Sequence, residues 1–234
     1  MSAPLSAPAT HFGPDDAALA DLVSRGAAEL GMQLRRSDAD RLVTYVRLIE
    51  HWNATYNLTS VRDPNEMVTQ HLLDCLAAAA ALRRRRGEGV GERVIDVGSG
   101  AGLPGLVMAL VFPDREITCV DSVGKKTAFI TQAAGALGLS NAKAVHGRIE
   151  KLGGHFDVVA SRAFAALGDF VEATGHLLAA SGTWMAMKGK VPDEEIARLG
   201  KAFTFHVEPL TVPRLAAHRC VVWIGRSSEA SARS

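Results

Sequence analysis

Asp96, Gly98, Gly100, Gly102, Gly105 and Asp121 stand at spacings suited to gripping a nucleotide-like ligand. They lie within RVIDVGSGAGLPGLVMALVFPDREITCVD, residues 93–121. Glycine lets a chain turn sharply and approach a ligand with no Cβ between them, at a cost in conformational entropy. Four glycines within the eight residues Gly98–Gly105 therefore imply that something must come close. Asp121 follows the apolar run Ile117–Val120, where a carboxylate can accept hydrogen bonds from both hydroxyls of a ribose.

Gly100-x-Gly102-x-x-Gly105 matches the dinucleotide pattern, yet its surroundings favour S-adenosylmethionine over NAD. Asp96 precedes Gly98 by two residues, giving D-x-G-x-G-x-G. An acid at this place recurs in class I methyltransferases, near the methionine end of the cofactor. Pro104 removes a backbone N–H at a helix start where a pyrophosphate would want donors. The chain also continues as strand–helix units without a second nucleotide-binding half.

The elements that position these residues alternate. Strands are expected at Arg93–Val97, Glu116–Asp121, Lys143–His146, Phe156–Ser161 and Thr183–Lys188, followed by Phe203–Glu208 and Arg219–Ile224. Helices are expected near Pro104–Phe112, Lys125–Leu137, Ala166–Ala179 and Pro192–Lys201, with a short turn near Ile149–Leu152. This alternation predicts a parallel sheet covered by helices on both faces. The final two strands lack an intervening helix pattern and read as a hairpin that makes the last strand antiparallel. The expected fold is α/β, a Rossmann-like class I methyltransferase core with a seven-stranded, mostly parallel sheet and an N-terminal helical extension.

Ahead of the core, residues 1–14 are rich in Ala, Pro and Ser and read as a disordered tail. Asp15 and Asp16 open a helix that Gly31 ends, and Ser37-x-x-Asp40 reads as a capping-box variant for a second helix. Asn57–Asp63 is a loop, and Pro64 starts a third helix carrying His71 and Asp74. Arg83–Arg86 close that helix, before a linker with Gly87, Gly89 and Gly91. Four arginines fit either a solvated face or contact with RNA phosphates, and the sequence leaves both open. The expected divisions are 1–14 tail, 15–91 helical region and linker, 92–226 core and 227–234 tail.

The bulk properties describe an ordinary globular chain: 234 residues, 47% hydrophobic, 22% charged, with a formal net charge of +1. A local basic patch would suffice for RNA, so the balance excludes no such partner. Cys75, Cys119 and Cys220 are far apart and form no C-x-x-C, so reduced, packed thiols are expected and no metal site. No apolar stretch is long enough to span a bilayer, and no secretory leader is evident.

Ligands of such sheets bind beyond the carboxyl ends of the strands. That places Gly98–Gly105, Asp121–Ser122, Gly147–Glu150, Ser161–Phe164 and Lys188 at the site. Adenine is expected against Ile149, its edge read by backbone groups of Ile149 and Glu150. Neither the Asn/Asp-Pro-Pro-Tyr/Phe signature of exocyclic-amine methylation nor a Pro-Cys nucleophile occurs in the chain. A ring nitrogen with an in-plane lone pair, such as guanine N7, needs neither. It requires only alignment with the methyl group and exclusion of water. Arg162 could orient the cofactor carboxylate or an RNA phosphate through its planar fork. His71 and Asp74 share one helical face and by spacing alone read as an ordinary surface pair, with substrate contact the alternative.

NLTSVRDPNEM (57–67), H-x-x-D (71–74), IDVGSGAGLPG (95–105), DSVGKK (121–126), RIE (148–150), SRAFA (161–165) and MKG (187–189) together resemble the RsmG (GidB) family, bacterial methyltransferases of guanine N7 in 16S ribosomal RNA. The resemblance runs from about Ser37 to Ile224. It implies cofactor contacts at Gly98, Leu103, Ile149, Glu150 and Arg162, with Asp121 on the ribose, and it places Lys188 and His71 near the substrate. With the loop reading, the expected cofactor-binding set is Asp96, Gly98, Gly100, Gly102, Leu103, Asp121, Ser122, Ile149, Glu150 and Arg162. No catalytic residue is assigned; Arg162, Lys188 and His71 are the substrate-side candidates. A cytoplasmic monomer acting on 16S rRNA of the small ribosomal subunit is expected, with no membrane association. A small-molecule methyltransferase and a non-catalytic RNA-binding protein are the rival readings.

Overall fold

The computed structural model describes residues 14–162, 164 and 166–227. The expected tails therefore lie outside the described residues except for Pro14 and Ser227, as do Ala163 and Ala165 of the SRAFA motif.

Seven strands form one sheet in the order β3-β2-β1-β4-β5-β7-β6. They are β1 (Arg93–Val97), β2 (Glu116–Asp121), β3 (Ala142–His146), β4 (Phe156–Ser161), β5 (Leu178–Lys188), β6 (Phe203–Leu210) and β7 (Arg219–Arg226). The first five are parallel, and β7 runs antiparallel between β5 and β6, as the hairpin reading required. Strand side chains alternate between two apolar clusters. Val94, Ile117, Cys119, Val158 and Met185 join one; Ile95, Val97, Val120, Val159 and Trp184 join the other. A sheet with both faces apolar must be covered on both.

The first face is covered by α1 (Pro14–Glu29), α2 (Arg36–Tyr56), α4 (Asp74–Arg86), α5 (Gly105–Val111) and α6 (Gly124–Ala136). The N-terminal helices thus share one cluster with the sheet. The second face is covered by α7 (Leu167–Thr174) and the segment around α8 (Asp193–Arg198).

Several expectations change in detail. The Ser37-x-x-Asp40 capping box does not form: α2 already begins at Arg36, and its cap residue Arg35 makes no capping hydrogen bond through its side chain. The acids there serve ion pairs instead, Asp38 with Arg35 (2.9 Å) and Asp40 with Arg36 (3.0 Å). The expected helix Ala166–Ala179 stops at Thr174, and β5 begins at Leu178 rather than Thr183. Thr174 Oγ1 bonds back to Phe170 O (2.5 Å) and accepts the indole N–H of Trp184 (2.8 Å), tying the helix end to the strand. The Pro64 helix starts as predicted, with Asp63 Oδ1 accepting the Glu66 N–H at 3.0 Å. After α3 (Pro64–Met67), however, it widens into a π-helical segment, Val68–Leu73, before α4. Such bulges are rare and recur at functional sites.

The arginine run is occupied within the fold. Arg83 pairs with Glu88 (2.9 Å), Arg84 with Glu208 (2.7 Å) and Arg86 with Glu92 (2.7 Å), while Arg85 lies over the Trp223 ring at 5.1 Å. Beneath it Arg115 is fully buried, donating to Glu88 O (2.9 Å) and Gly87 O (2.8 Å). These contacts favour a structural role for the run over phosphate contact. No described helix is long and apolar enough to cross a membrane. The three cysteines are buried and unbridged, as expected.

Candidate active site

The turn after β1 is shaped by three carboxylate contacts. Gly98 and Gly102 sit at φ +69° and +82°, a left-handed backbone that only glycine adopts without strain. Asp121 Oδ2, from the end of β2, accepts the Gly100 N–H at 3.0 Å, and its Oδ1 accepts the Val123 N–H at 2.9 Å. Asp96 Oδ2 accepts the Gly105 N–H at 3.0 Å, which closes the start of α5 with a negative charge. An anionic pyrophosphate is therefore excluded there, as the Pro104 argument anticipated.

The glycines serve different ends. A Cβ on Gly105 would stand 2.4 Å from Cys119 Sγ, and one on Gly102 would stand 2.8 Å from Leu106 Cδ1 and 3.1 Å from the Tyr45 hydroxyl. Both are required by internal packing. Of the four loop glycines, Gly98 has nothing within 4 Å of its Cβ position and lines open space.

That space is a cavity of about 710 Å³ beyond the carboxyl ends of β1, β2 and β3. Gly98, Asp121, Ser122, Ile149 and Glu150 line it, five of the ten expected cofactor residues, together with Phe164 and Lys126. Asp96, Gly100, Gly102 and Leu103 do not line it. Leu103 is buried in the apolar cluster, and Gly100 acts through its N–H to Asp121. The residues fit S-adenosylmethionine: a carboxylate with spare lone pairs at Asp121 and apolar walls at Val97, Val120 and Ile149. Burial pushes the Asp96 carboxyl up to about 6, against the Gly105 amide, which holds it down.

Arg162 belongs to a second cavity of about 380 Å³, with His71, Asp74, Lys188 and Arg219. All three substrate-side candidates gather here. His71 and Asp74 are buried rather than a surface pair, because the π-helical segment and the first turn of α4 turn inward against the sheet ends. Asp74 Oδ1 accepts from Arg219 Nε at 3.1 Å, and its Oδ2 is 3.8 Å from Arg162 Nη1. His71 Nε2 lies 2.8 Å from Thr59 Oγ1, and Nδ1 lies 3.5 Å from Arg162 Nη1. A guanidinium only donates, so a bond from Arg162 to Nδ1 requires that nitrogen to be unprotonated. Burial, with Arg162 adjacent, lowers His71 from 6.5 to about 4 and keeps it neutral. Lys188 Nζ pairs with Glu195 at 2.9 Å.

Sequence reasoning missed Arg219, while Phe164 lines the first cavity as its place after β4 led one to expect. Arg219 had a signal: an antiparallel strand starts where its parallel neighbours end, and Cys220 pairs with Lys188.

Comparison with known proteins agrees with this geometry. The sheet and its helices superpose on a SAM-dependent methyltransferase from Aquifex aeolicus (TM-score 0.54, 14% identity, covering 72% of this chain and 96% of that one). They also match a SAM-dependent methyltransferase from Thiobacillus denitrificans solved with S-adenosyl-L-homocysteine (TM-score 0.50, 14% identity, 64% and 91%). These likenesses establish the fold. In sequence, the chain is 53% identical over 207 residues to a ribosomal RNA small subunit methyltransferase G of Acidovorax ebreus, covering 85% of this chain and 92% of that protein. It is 49% identical over 214 residues to the protein of the same name from Methylibium petroleiphilum, covering 91% and 96%. The family model for rRNA small subunit methyltransferase G matches residues 38–222. With the glycine loop, Asp121 and the cavity they border in place, the chain belongs to the rRNA small subunit methyltransferase G (GidB) family.

Proposed function

We infer that this protein transfers the methyl group of S-adenosylmethionine to N7 of a guanine in the 16S ribosomal RNA of the small subunit, as a monomer in the cytoplasm. The observation that carries the reading is a cavity bounded by Gly98 and Asp121 in a chain that matches the family over residues 38–222. The cofactor supplies an electrophilic methyl group on a sulfonium. Asp121 accepts from the ribose hydroxyls on lone pairs that Gly100 and Val123 leave open. Ile149 packs on the adenine, and Gly98 allows close approach where any side chain would intrude.

Guanine N7 carries no proton and has its lone pair in the ring plane, so the chain need supply neither a base nor a nucleophile. Its work is alignment and exclusion of water. His71, neutral and hydrogen-bonded to Thr59, orients Arg162 instead of accepting a proton.

The test is methyl-labelled transfer to small ribosomal subunits lacking the modification, followed by reductive strand scission at N7-methylguanine. One labelled guanine is the expected result. Retained cofactor binding with no label in RNA would instead indicate a small-molecule acceptor.

A further inference from the structure

We propose that the second cavity is the seat of the guanine base, and that Asp74 reads its N1–H and N2-amino edge. This rests on the rRNA reading above and names the contact that makes the site select guanine.

Arg162 lines the second cavity and Phe164 the first, so one short segment after β4 borders both spaces. At about 380 Å³ the second space is ample for one nucleobase. Enzymes that modify a base take it out of its stack and read its Watson–Crick edge with hydrogen bonds. In guanine that edge offers two donors, N1–H and the N2-amino group, beside the O6 acceptor, and N7 lies next to O6 on the adjoining edge. The reader must therefore be an acceptor on one side with donors on the other.

Asp74 is the one carboxylate lining this cavity. Its Oδ1 is held by Arg219 Nε at 3.1 Å, fixing the plane of the group. Its Oδ2 is 3.8 Å from Arg162 Nη1, longer than a hydrogen bond, and so keeps its lone pairs for another donor. Arg162 Nη1 also makes a long contact, 3.5 Å, to His71 Nδ1, and is positioned to turn toward O6. Adenine offers no N1–H and presents a donor in place of O6. A phosphate would meet the Asp74 carboxylate.

The test uses small subunits rebuilt with the target guanine, first mapped by labelling, replaced by inosine. Inosine keeps N7, O6 and N1–H but lacks the N2-amino group. Loss of one hydrogen bond to a charged group predicts a fall of about 10–100-fold in kcat/KM for the unaltered protein. Equal rates on guanine and inosine would overturn the assignment, and this comparison needs no variant. In Asp74→Asn, with cofactor affinity by calorimetry as the check of folding, the guanine rate falls and the inosine penalty shrinks to within about threefold, because the charged acceptor is gone. An inosine penalty undiminished in Asp74→Asn would assign discrimination to another residue and overturn the role of Asp74 alone. No transfer to guanine-containing subunits by the unaltered protein would overturn the rRNA reading itself.

Discussion

The carboxylate of Asp121 accepts the backbone N–H of Gly100 at 3.0 Å, so the residue proposed to meet the ribose also fixes the glycine loop beside the first cavity. Asp121→Asn replaces one acceptor oxygen with a donor that faces N–H groups. Cofactor affinity measured by calorimetry should fall by about 10–100-fold, the scale of hydrogen bonds to a charged group. Unchanged affinity would remove Asp121 from the ribose role.

Gly102 and Gly98 separate packing from binding. Gly102→Ala adds a left-handed alanine and a Cβ 2.8 Å from Leu106 Cδ1, and should cost about 2–3 kcal/mol in urea unfolding. Gly98→Ala meets no atom within 4 Å and should cost about 1 kcal/mol from backbone strain, while weakening the cofactor because its methyl enters the cavity. Equal effects of the two on stability would contradict this division.

His71 and Asp96 predict opposing acid responses. The folded His71 titrates at about 4 instead of 6.5, so between those values the unfolded chain takes a proton the folded one refuses. Stability from His71 is lost as pH falls through that window, by up to about 3 kcal/mol. Asp96 titrates at about 6 when folded instead of 3.8; the folded chain binds that proton first, and stability rises as pH falls from 6. Asp74, also raised by burial, acts in the same direction as Asp96. His71→Gln should therefore gain stability relative to the unaltered protein between pH 6.5 and 4.5 in urea titrations, and Asp96→Asn should lose it. Parallel curves for all three would rule out these protonation assignments.

Arg84 pairs with Glu208 while more than half exposed, a geometry that contributes little. Arg84→Ala should lower stability by no more than about 1 kcal/mol and leave the salt dependence of RNA binding unchanged. A slope lower by about one would show that Arg84 meets a phosphate after all.

Much of this molecule was legible in its sequence because its signals are local. Strand, glycine turn, helix and acid follow within residues 93–121, and the period of the apolar pattern gave all seven strands. The misreadings at the second cavity and of Arg84 come from partners distant in the chain. Asp74 and Arg219 meet across 145 positions, and Glu208 reaches Arg84 across 124. No window of sequence contains such pairs, so His71 and Asp74 read as a surface pair and the arginines as either a solvated face or a phosphate contact. The glycine count also overstated the ligand's share, since Gly102 and Gly105 answer to Tyr45, Leu106 and Cys119.

The place of β7 between β5 and β6 has a consequence for how the enzyme is made. Synthesis delivers β6 before β7, yet the only sheet neighbour of β6 is β7. Until β7 is delivered, β6 has no edge to join, and Arg219 is not there to orient Asp74. A nascent chain can thus hold a finished cofactor cavity while its acceptor pocket is missing. The wall of the second cavity is closed only when a single late strand, carrying Arg219 and Cys220, takes its place between two others and completes the sheet.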